Sequence, residues 1–194
     1  VLSVGLTLEE YGTYSQANLI NTVGASVIAL GLSDAVNYFF NRRQSDVDDT
    51  LRMRIVNTVF FLEIALGVIL AFSIFVCRHL IIDYFDNAAL QRLIPFIMAM
   101  PMLGHLLYFY QVLFVSVGKA RIMTLFNLVM MVLRIAFISL AVFVLRDLLW
   151  IFLLLVLLEL IQITGFNLLV SKQGVQIRPW HISLKHIKQI LAYG

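Results

Sequence analysis

Residues 148–170 read LLWIFLLLVLLELIQITGFNLLV, an almost unbroken apolar run holding one charged side chain, Glu159, and no proline. A hydrocarbon layer about 30 Å thick is crossed by about 20 predominantly apolar residues in helical form. The run has that length, and it lacks the two-residue alternation of a barrel strand. Working outward, four more such stretches precede it, at about 14–40, 55–76, 93–117 and 122–145. The chain therefore reads as an all-α integral membrane protein, a polytopic bundle of five transmembrane helices within residues 1–177.

Composition points the same way. Of 194 residues, 61% are hydrophobic and 13% charged, against about 45–50% and 25% in soluble domains. The net charge of +3 has no basic–aromatic interleaving around it, which argues against a nucleic-acid partner and for membrane lipid. Cys77 is the single cysteine, so no intrachain disulfide and no paired-thiolate metal site can form. No charged-then-apolar leader opens the chain, and both ends read as cut from a longer sequence.

Lys and Arg in short loops favour the cytoplasm. Arg42, Arg43, Arg52, Arg54, Lys119, Arg121 and the basic residues after 171 fall in one set of loops, whereas the other set holds only Arg78, Arg92 and Arg146. The expected topology puts residues 41–54, 118–121 and 171–194 inside and the start of the chain outside. Residues 178–194 read as a basic amphipathic helix at the inner interface, with Ser183 as N-cap and Lys185, Lys188 and Gln189 toward the headgroups.

Polar residues inside the spans mark the candidate site. In the first span Ser15, Asn18, Thr22, Ser26, Ala29, Ser33 and Asn37 recur every three or four residues, forming one small, polar stripe, with Asp34 beside it. Such a stripe lines a wet route or lets helices pack closely. Glu63, His105, Arg134 and Glu159 lie deep in the second to fifth spans. A charge at mid-membrane costs about 2.5–3.5 kcal/mol on insertion scales, so these groups pair, protonate or line water. Arg134 pairs with Glu159 or with Glu63, or it binds an anionic substrate through its planar donor fork. Thr124, Asn127 and Met131 share its face, Gln162 shares that of Glu159, and Pro101 puts Gly104, His105, Tyr108 and Gln111 along much the same face of a kinked third span.

Motifs for catalysis are weak. Asp46, Asp48 and Asp49 offer paired carboxylates to a magnesium–diphosphate, as in a prenyl-phosphate transferase, but they also cap the next helix and neutralise neighbouring arginines. Gly118-Lys119 is no phosphate loop, since Leu113 stands where that loop needs glycine. No zinc-protease histidine pair or nucleophile elbow occurs, and the residues call for no cofactor. Transport is the expected class.

The stretch Leu6-Thr7-Leu8-Glu9-Glu10-Tyr11-Gly12-Thr13-Tyr14, followed by a polar span containing Gly31-Leu32-Ser33, resembles the opening of the polysaccharide and O-antigen flippases. Their element reads Leu-Gly-x-x-Glu-Tyr-Gly-x-Tyr, so Thr7 replaces the usual glycine. The pattern continues through the basic loop after Phe40, Gly-Lys-Ala-Arg at 118–121 and the basic tail. The resemblance implies a bundle similar in fold to the multidrug and toxin extruders and the lipid II flippases. On that footing these spans are helices two to six of an amino-terminal bundle, and a first helix and a second bundle complete the protein. It further implies transfer of an undecaprenyl diphosphate-linked oligosaccharide between leaflets for O-antigen or capsule synthesis, coupled in some members to H+ or Na+. The residues that would serve are Arg134 for the diphosphate, Asn18, Thr22, Ser26, Asn127, His105 and Gln162 along the substrate route, and Asp34, Glu63 and Glu159 for ion coupling or pairing. An ion-coupled drug exporter of the same superfamily is the other transport reading.

Overall fold

The computed structural model describes residues 5–29, 32–41, 49–172, 175 and 177. In chain order the helices are α1 (Leu8–Ala29), α2 (Leu32–Asn41), α3 (Asp49–Val76), α4 (Arg78–Phe85), α5 (Leu90–Ser116), α6 (Ala120–Leu140) and α7 (Leu148–Ser171). A π-turn, Ala141–Leu145, extends α6. There is no strand among the described residues.

Four helical spans, Thr50–Val76, Leu90–Ser116, Ala120–Leu145 and Leu148–Ser171, are long and apolar enough to cross a bilayer. A fifth is made by α1 and α2 if they are one broken span, since they are inclined by 48°. The chain is thus a polytopic helical membrane bundle. The stretch expected as one span at 14–40 is described as the two helices α1 and α2, and residues 30 and 31 between them lie outside the described residues. The tail helix expected at 178–194 also lies outside them, as do Asp46 and Asp48.

Local chemistry fixes the helix ends. At the start of α1, Glu10 N donates to Thr7 Oγ1 at 3.2 Å and Thr7 N donates to Glu10 Oε2 at 2.9 Å, a reciprocal capping box. Asp147 caps α7 by accepting from Leu149 N at 2.9 Å. Asn87, in the turn before α5, donates to Thr13 Oγ1 at 2.9 Å and Gln16 Oε1 at 2.7 Å, which bolts that turn to α1.

The centre of the bundle is α5, which touches every other described helix. Over its apolar window 56% of residues are buried, against 17% for α6 at the periphery. Leu125, Leu128 and Val132 of α6 and Val68, Ile69 and Phe72 of α3 are exposed, as lipid-facing residues must be. Close approach of α1 to α5 depends on Gly24, where an added Cβ would stand 3.1 Å from Pro101 Cγ and from Leu70 Cδ2. An aromatic cluster closes the bundle around Phe166, whose ring meets Phe126 at 4.9 Å, Phe114 at 5.3 Å and Tyr110 at 5.9 Å.

Candidate functional site

Helical spacing brings three polar faces together. On α6, Asn127, Met130, Met131 and Arg134 lie at intervals of three or four residues, as do Glu159 and Gln162 on α7 and Gly104, Leu107 and Gln111 on α5. These residues line one groove of about 400 Å³. Of the two partners open to Arg134, the structure provides Glu159: Arg134 Nη2 lies 3.7 Å from Glu159 Oε1. That separation is an ion pair looser than a hydrogen bond. The Arg134 side chain is 41% exposed and that of Glu159 10%. Beside them Gln162 Nε2 donates to Asn127 Oδ1 at 2.8 Å, tying α7 to α6. The Arg134 donors have no hydrogen-bond acceptor among the described residues, and Glu159 Oε2 is buried without a donor.

Glu63 belongs to another cluster. It accepts from Ser33 Oγ at 2.7 Å and faces His105 Nε2 at 3.3 Å through the same oxygen. Glu63 is 1% exposed and His105 4%, so the pair is sealed between α2, α3 and α5. Glu63 Oε2 has no hydrogen-bond partner. His105, expected along the route, is therefore a buried neighbour of Glu63 rather than a lining residue of either groove.

A second groove of about 270 Å³ is lined by Asp34 and Asn37 of α2, Tyr108, Gln111, Val112 and Val115 of α5, and Met123 of α6. Gln111 lines both grooves and so joins them. It and Ser33 belong to polar faces read from the sequence, but spacing assigns neither a specific role there. The signal for Gln111 was its place on the face that follows Pro101, while nothing in the spacing pointed Ser33 at Glu63.

Asn18, Thr22 and Ser26 stand apart, exposed along α1 and lining neither groove. Their face is tolerable in an apolar setting because Thr22 Oγ1 and Ser26 Oγ donate to carbonyls one turn back, both at 2.9 Å. Among the described residues no group of three or more His, Cys, Asp or Glu could hold a metal ion.

The arrangement can hold an anion at Arg134 and hydrogen-bonding groups along α5. Against known families, the whole chain, residues 1–194, matches the family described as polysaccharide biosynthesis protein. Neither curated proteins nor solved structures give a match.

Proposed function

The chain belongs to the polysaccharide biosynthesis protein family, and from that premise we propose that it forms part of a flippase for an undecaprenyl diphosphate-linked oligosaccharide in the cytoplasmic membrane. The observation that carries this reading is the Arg134 guanidinium. It stands in a membrane groove, paired with Glu159 at 3.7 Å and otherwise without an acceptor among the described residues. A guanidinium keeps its charge and presents parallel donors that match two oxygens of a diphosphate.

In this scheme the diphosphate displaces Glu159 from Arg134, and Glu159 reclaims the arginine when the substrate leaves. The exchange leaves the arginine with an anionic partner in both states. Gln162 and Asn127 hold α6 and α7 in register beside it. Glu63, Asp34 and Glu159 are the groups available to a coupling ion, H+ or Na+. The turn at 118–121 faces the cytoplasm, as its lysine and arginine favour.

The test is Arg134→Ala in the full-length transporter, expressed in a strain lacking its own flippase. Surface polysaccharide is expected to disappear while the protein remains in the membrane at normal abundance. Full export by this variant overturns the role. Arg134→Lys distinguishes a point charge, which lysine replaces, from a bidentate contact, which it does not.

A further inference from the structure

The carboxylates of the bundle are not equivalent. Glu159 has Arg134 as its partner and Glu63 has Ser33 and His105. Asp34 is exposed on α2 and has no ion pair or hydrogen bond among the described residues. It opens into the smaller groove with the amides of Asn37 and Gln111 and the half-exposed ring of Tyr108. A carboxylate on a membrane helix is tolerated where it lines a wet cavity, and such residues are functional sites by default.

The geometry points to this groove as a saccharide subsite, with Asp34 accepting the hydroxyls of a sugar ring. This inference rests on the flippase reading and extends it to the sugar portion of the substrate. The lining has the chemistry that a sugar requires. A carboxylate accepts from neighbouring hydroxyls, an amide both accepts and donates, and hydrogen bonds to a charged acceptor are the strong ones. Tyr108 adds a broad apolar face with a polar tip, suited to the C–H face of a pyranose. Val112, Val115 and Met123 supply the remaining apolar wall.

Position supports the same assignment. Along α5, Tyr108, Gln111, Val112 and Val115 share one face, and Gln111 also lines the Arg134 groove. A ligand with an anion at Arg134 thus places its adjoining sugar past Gln111 and toward Asp34. The exposed stripe of α1, the earlier candidate for the sugar route, lines neither groove.

The experiment measures binding of two probes to the purified full-length transporter: farnesyl diphosphate, and farnesyl diphosphate carrying one N-acetylglucosamine. The wild type is expected to bind the glycosylated probe roughly tenfold more tightly, the scale of a hydrogen bond to a charged group. Asp34→Ala should erase that increment and leave the affinity for farnesyl diphosphate unchanged, whereas Arg134→Ala should weaken both probes. Should Asp34→Ala fail to fold, Tyr108→Ala, which removes the ring wall, carries the same expectation. An Asp34→Ala protein that keeps the increment, or that weakens both probes alike, overturns the subsite. A wild type that binds both probes equally overturns it too while leaving the flippase reading intact, and one that binds neither overturns the flippase reading itself.

Discussion

Glu63 and His105 face each other at 3.3 Å in the buried interior of the bundle, and Ser33 donates to the same carboxylate oxygen at 2.7 Å. Three helices, α2, α3 and α5, meet at this one atom. Removing the carboxylate strands the Ser33 hydroxyl, and a buried polar group left unsatisfied costs about 1–3 kcal/mol. Glu63→Ala is therefore expected to lower the thermal midpoint in detergent well below that of Glu63→Gln, whose amide oxygen still accepts from Ser33. Equal midpoints for Glu63→Ala and the wild type would contradict a structural tie at this point.

At the other carboxylate the expectation has the opposite sign. Arg134 is too exposed for its pair with Glu159 to contribute more than about 1 kcal/mol to stability. Glu159→Gln should thus leave the unfolding midpoint nearly unchanged. It removes the anion that competes for Arg134, so farnesyl diphosphate should bind more tightly, by up to about fivefold from the same pair energy. Weaker binding by Glu159→Gln would show that Glu159 does not compete for that site.

The contrast between the two carboxylates also shows where reading the sequence stops. Span lengths were legible because an apolar run near 20 residues admits few other structures. By depth alone Glu63 and Glu159 were equal partners for Arg134, and hydrophobic periodicity carries no information on which helices are neighbours. Packing decides it: Glu63 meets Ser33 and His105, whereas Glu159 meets Arg134. The polar stripe of the first span is divided: Ser15, Asn18, Thr22 and Ser26 keep a common exposed face, whereas Ser33 lies beyond a 48° bend and donates to Glu63. The short α4 was not expected, because Arg78–Phe85 is too short a segment to establish a period.

Gly24 and Gly12, both in α1, should respond oppositely to the same substitution. A Cβ at Gly24 meets Pro101 and Leu70 at 3.1 Å, and the proline ring cannot rotate aside. Overpacking of this kind costs about 1–3 kcal/mol. At Gly12 nothing lies within 4 Å of an added Cβ, so alanine gains its helix-propensity advantage of about 0.8–1 kcal/mol. Thermal unfolding should place Gly24→Ala below and Gly12→Ala above the wild type. A fall at Gly12 as large as at Gly24 would mean that α1 does not pack as described.

Thr7 departs from the glycine of the related flippase element, yet the capping box supplies a reason for its being accepted. Its hydroxyl accepts from Glu10 N at 3.2 Å, and Glu10 reaches back to both Thr7 N and Thr7 Oγ1 at 2.9 Å. Glycine at the N-cap costs only a few tenths of a kcal/mol relative to threonine, whereas alanine costs about 1 kcal/mol. Thr7→Gly should therefore preserve the first turn of α1, Thr7→Ala should fray it, and Glu10→Ala should fray it as well by removing the reciprocal acceptor. Amide hydrogen exchange over the first turns of α1 measures this directly, because a lost cap raises exchange there before any global change in stability. Exchange in Thr7→Gly as fast as in Thr7→Ala would mean that the cap does not hold the helix start, and the tolerance of either residue at this position would need another cause.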